Sequence, residues 1–134
     1  MKKIILAIFP LLLLGPVLSI GRENINYDWQ DLFPDPLERV YVIMKDGTIF
    51  LYTSHYGDKV YASMGELERM LKKRGSSIKE IAIVIHNHRK EKSFSRSDYK
   101  QYWTLKAEGF DGRFLLYCHR TKEVYDIENK EKLK

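Results

Sequence analysis

Residues 81–98 read IAIVIHNHRKEKSFSRSD, and the folding of this stretch decides the rest of the chain. Ile81 to Ile85 are apolar at every position, the pattern of a central strand covered on both faces. The run ends in His86-Asn87-His88, passes through a basic loop, and reaches Ser95-Arg96-Ser97-Asp98. In an extended chain residues two apart project to the same side, so His86 and His88 share a face. A serine followed three residues later by an acid marks a helix N-terminus. The spacing therefore predicts a strand, a loop, and a helix from near Ser95 that carries Tyr99, Tyr102, Trp103 and Lys106 and stops at Gly109.

Upstream, LERVYVIM (37–44) and TIFLYT (48–53) are β-branched and aromatic runs joined by Lys45-Asp46-Gly47, a strong hairpin signal. SHYGDKVY (54–61) reads as a loop that reaches a short strand at its end. Ser63 and Glu66 form a capping-box pattern, Met64, Leu67 and Leu71 recur at helical spacing, and Gly75 stops the helix after three basic residues. Downstream, GRFLLYCHR (112–120) and EVYDI (123–127) read as two strands around Thr121-Lys122. The order is β-β-α-β-α-β-β, an α/β domain with a mixed sheet and flanking helices. His86 and His88 fall at the C-terminal end of its central strand, the edge where open α/β sheets hold their sites.

Four segments divide the chain: a signal peptide (1–21), an irregular lead-in (22–36), one domain (37–128) and a basic tail (129–134) that is expected to fray. Lys2 and Lys3, the apolar stretch Ile4–Leu14 and the break at Gly15-Pro16 give the first segment the form of a secretory signal, too short and too proline-broken for a permanent span. It places the protein in the cell envelope or outside the cell, with membrane contact only through an uncleaved signal segment. In the lead-in, Trp29, Leu32 and Phe33 are the residues expected to pin it to the domain. The formal charge of +5 becomes +3 once Lys2 and Lys3 leave, too mild to make nucleic acid an expected partner. Cys118, the only cysteine, excludes an internal disulfide and reads as a core residue.

Two readings of the histidine pair follow from spacing. In one, His86, His88 and Asp98 are three ligands of a metal ion, two imidazoles and a carboxylate leaving a fourth position open. In the other, a buried strand simply precedes a capped helix. His55, in a loop, and His119, beside Cys118, have no ligand spacing of their own. The nine tyrosines suit half-buried faces rather than a base-stacking platform, and three adjacent letters HNH do not make the dispersed nuclease motif of that name.

His86-Asn87-His88 after an Ile/Val-rich strand, with Ser95-x-x-Asp98 opening a helix, resembles the signature of the JAB/MPN (JAMM) metalloprotease superfamily, in particular its RadC-like branch. The hairpin and the helix GELERMLKKRGSS (65–77) stand where that family has them, so the resemblance covers about residues 37–127. It implies a deaminase-like fold, a Zn2+ ion on His86, His88 and Asp98, and hydrolysis of a peptide or isopeptide bond by a zinc-activated water. It also implies that Ser95 stabilises the oxyanion and that a glutamate of the first strand region, best matched by Glu38, is the general base. Glu66 matches less well, because capping already accounts for it. Two positions depart from the family: Arg89 stands where proline is usual, and the gap from His88 to Ser95 is one residue shorter. If the Arg89-Lys90-Glu91-Lys92 loop rims the site, it favours substrates with negative charge, such as a C-terminal carboxylate. The alternative expectation is a catalytically inactive JAB-like domain that binds another protein in the envelope.

Overall fold

The computed structural model describes residues 27–52, 54–56, 59–61, 63–129 and 132–133; the expected signal segment lies outside them. The elements are α1 (Trp29–Leu32), β1 (Val40–Met44), β2 (Ile49–Leu51), β3 (Ser54–Tyr56), β4 (Lys59–Tyr61), α2 (Met64–Lys73), β5 (Ile81–His88), α3 (Arg96–Ala107), β6 (Arg113–Cys118), β7 (Glu123–Asp126) and β8 (Lys132–Leu133). All seven elements of the expected order are present. Added to them are the single turn α1, the strand β3, which pairs with the short strand β4 at the end of the expected loop to form a separate two-stranded sheet, and β8 in the tail.

One mixed sheet runs in the order β2-β1-β5-β6-β7-β8. Its centre is the parallel pair β5–β6, with β1 antiparallel on one side and β7 on the other. Gly47 turns the first hairpin with φ 92°, a conformation that favours glycine. Both long helices lie on one face, where Leu67 and Leu71 of α2 and Tyr102 and Leu105 of α3 bury against Val84 and Phe114. The opposite face is covered by the lead-in: Phe33 is buried and stacks on Tyr117 at 5.3 Å, with Trp29 and Leu32 packed around the same cluster. Pinning by Trp29, Leu32 and Phe33 is thus observed, and part of the lead-in is helical.

Local signals account for the helix ends. Ser63 Oγ accepts the Glu66 amide at 3.2 Å, but Glu66 pairs with Arg69 instead of reaching back. At α3 the box is complete: Ser95 Oγ accepts the Asp98 amide at 3.1 Å, and Asp98 Oδ2 accepts the Ser95 amide at 2.8 Å. Such a cap contributes about 1 kcal/mol, and here it also fixes where the Asp98 carboxylate sits. Among the described residues no helix is long and apolar enough to cross a membrane.

Candidate metal centre

Strand alternation sends His86 and His88 to the helix face and Asn87 to the other. The His86 and His88 rings lie edge to face, 5.0 Å apart. Asp98 reaches them from the first turn of α3, with Oδ1 3.2 Å from His86 Nε2 and Oδ2 3.5 Å from His88 Nε2. One potential ligand atom from each of the three residues lies within 4.8 Å of the others, a group that could hold a metal ion. Their side chains are 11%, 16% and 13% exposed, shielded but open to a small solute. Capping does not compete with this arrangement, because Oδ2 takes the Ser95 amide while Oδ1 still faces His86.

The hydrogen bonds around His86 say which nitrogen is on offer. His86 Nδ1 lies 3.1 Å from the Leu115 carbonyl, which only accepts, so Nδ1 carries the proton. In the neutral ring Nε2 is then a bare lone pair facing a carboxylate oxygen, and this buried atom has no hydrogen-bond partner. Two lone pairs at 3.2 Å repel; an imidazolium proton or a cation between them relieves the conflict. A backbone carbonyl fixing the far nitrogen is the usual arrangement of a metal-binding imidazole. Nδ1 of His88 is likewise buried without a partner.

Electrostatics prepares the group for a cation. Burial pushes the His88 pKa down, and neighbouring His86 adds to the fall, with Asp98, Glu38 and Glu91 opposing. The shift favours the neutral imidazole, the form able to accept a cation. Burial works against ionising Asp98, but the hydrogen bond and charge that the His86 ring offers when it carries both protons, the Ser95 amide and His88 outweigh it and hold the pKa at about 2, below the ordinary 3.8. The sign follows by linkage: ionised Asp98 stabilises the fold fully above pH 4, and that contribution fades as pH falls towards 2. Chemical denaturation of metal-free wild type and Asp98→Asn should show a stability gap at pH 5 that closes between pH 4 and 2. A gap independent of pH would remove this role for the carboxylate.

The loop of residues 89–94 does not keep the three residues apart. Phe94 packs between His86, Phe114 and Tyr99, with ring centroids 6.0 to 6.3 Å away, and anchors the loop below the start of α3. The Arg89 and Lys90 carbonyls take the Arg120 amide and side chain, at 3.1 and 3.2 Å, while the side chains of residues 89–92 are exposed. Six residues therefore span the gap through one aromatic anchor and borrowed backbone pairing. Cys118 is fully buried and donates to the Lys90 carbonyl, a structural position. His55 lies in β3, in the separate two-stranded sheet.

Glu38 is exposed just before β1. It lies two residues before Val40, which pairs with His86 at the end of the β1–β5 ladder, and its charge is among those acting on the His88 ring. Ser95 Oγ spends a lone pair on Asp98 and keeps its proton for another acceptor. Sequence reasoning missed Phe94, the Leu115 carbonyl and Asn87. An aromatic residue within an otherwise polar loop was the only local signal for the first; the other two depend on pairing between distant segments. No family model, curated protein or solved structure matches this chain.

Proposed function

We propose that the chain is an exported zinc-binding domain of JAB/RadC type, with a deaminase-like fold, that hydrolyses a peptide or isopeptide bond. The observation that carries this reading is the buried, unpartnered Nε2 of His86, pinned from behind by Leu115 and facing the Asp98 carboxylate. Two imidazoles and one carboxylate with an open fourth direction are the donor set of a hydrolytic zinc site rather than a closed structural one. The strand order supports the fold assignment, since it delivers the histidines to the end of a central strand and the acid from the following crossover helix.

In this reading His86, His88 and Asp98 hold the ion, which when bound polarises a carbonyl and eases deprotonation of water. Glu38 removes that proton and returns it to the leaving amine. Ser95 donates its hydroxyl proton to the oxygen on which negative charge develops. Purified mature protein should carry one zinc per chain and cleave a peptide or isopeptide library. Glu38→Gln should lower turnover by about a thousandfold with zinc still bound, within the range of general-base loss plus positioning. Zinc without hydrolysis in the wild type would leave a metal-dependent protein-binding module; absence of zinc would end the metal reading.

A further inference from the structure

Asn87 is the middle residue of His86-Asn87-His88 and takes no part in the metal cluster. It is 1% exposed, and an amide so deeply buried must have its hydrogen-bonding groups satisfied. Asn87 pairs its oxygen and both of its amide protons. Its Oδ1 accepts the Arg39 amide at 2.7 Å, and its Nδ2 donates to the Leu37 carbonyl at 3.0 Å and to His119 Nε2 at 2.8 Å. Leu37 and Arg39 flank Glu38, so one side-chain amide bonds the backbone on both sides of that residue.

This pairing stands in for a strand. The β1–β5 ladder reaches Val40 and His86, and one step further Arg39 faces Asn87. There the side-chain amide supplies an acceptor and a donor, as a neighbouring peptide would, and carries the register to Glu38. The backbone prevents the amide from turning over: a flipped Asn87 would set its oxygen against the Leu37 carbonyl and its NH2 against the Arg39 amide. The His119 ring is itself held edge-on by Phe33 at 6.3 Å and Tyr117 at 5.0 Å. We propose that Asn87 is a positioning residue which, from the sheet face opposite the three candidate ligands, clamps residues 37–39 and so sets Glu38 opposite His88, with His119 supporting the amide by taking its second proton. The catalytic meaning of this clamp rests on the reading of Glu38 as general base; the clamp itself does not.

The test uses metal-free full-length protein by NMR. Asn87→Ala should raise amide exchange at Arg39 at least about tenfold, the size expected for losing one well-formed hydrogen bond, while Val42 and Val84 keep their protection. In the Asn87 background, Glu38→Gln should displace the His88 ring resonances; in Asn87→Ala the same substitution should leave them in place. A general loss of stability would not abolish that coupling selectively. Unchanged Arg39 exchange, or equal displacement of His88 in both backgrounds, overturns the proposal. Should Asn87→Ala fail to fold, His119→Ala carries the same test with a smaller rise at Arg39, about threefold, and no rise overturns it. Failure to bind zinc would sink the proposed function while leaving both exchange and coupling results readable. Zinc binding with unchanged exchange would sink the clamp alone.

Discussion

Zinc at about a hundred times its dissociation constant should raise the thermal midpoint of the wild-type protein by roughly 10–20 °C, and His86→Ala should abolish that rise. The size follows from mass action: a ligand at that excess stabilises the fold by about 2.7 kcal/mol, and each kcal/mol moves the midpoint of a domain of this size by about 4–8 °C. His86→Ala removes the one ligand whose free nitrogen is aimed by a backbone carbonyl behind it. Asp98→Ala should behave alike, because it leaves two imidazoles with no anion between them and the ion. Without metal, His86→Ala loses the Leu115 hydrogen bond, the Asp98 contact and packing against His88, Phe94 and Phe114, so its own cost is about 2 kcal/mol or more. His119→Ala is the control that should keep the zinc response. Calorimetry with and without zinc checks all four proteins, and an undiminished rise in His86→Ala would remove it from the ligand set.

Gly112→Ala should destabilise the protein by about 3 kcal/mol or more and weaken metal binding roughly tenfold. A β-carbon at this position would lie 2.2 Å from the Ala82 carbonyl oxygen and 2.8 Å from that of Ile81. Both are backbone atoms at the start of β5, so no rotamer change relieves the overlap, and β6 must move away. That movement reaches the site, because β6 carries the Leu115 carbonyl that fixes the His86 ring, three residues beyond Gly112. Urea denaturation and zinc titration read the two effects separately. A wild-type midpoint in Gly112→Ala would show that the strands have room to spare there.

The main elements and the metal cluster are legible in sequence for a shared reason: their causes are local. Ser95 and Asp98 announce the α3 start by their spacing, and Ile81–Ile85 announce a strand covered on both faces. Because the histidines and Asp98 lie on either side of one short loop, strand geometry and a cap suffice to bring them together. What escaped has non-local causes. Nothing near SHYGDKVY distinguishes a loop from the β3–β4 pair, since charged and small residues suit both. Helices on opposite faces of the sheet and helices on one face are equally compatible with the order of elements; the lead-in decides it by covering the second face through Phe33. The Glu66 half of a capping box was lost to a competing partner, Arg69, one turn along. Asn87 is read only when Leu37, Arg39 and His119 are brought beside it.

The alternation of His86, Asn87 and His88 has a consequence for how the chain reaches its native arrangement. A slip of β5 by a single residue would turn Asn87 towards Asp98 and drive both imidazoles against Phe33 and Tyr117, since every side chain changes face. The apolar run guards poorly against such an error, because Ile81 to Ile85 are equally at home on either side. An ion recognises one alignment alone. Its binding energy would be withheld from every slipped form, so metal capture would proofread strand alignment as well as equip the site.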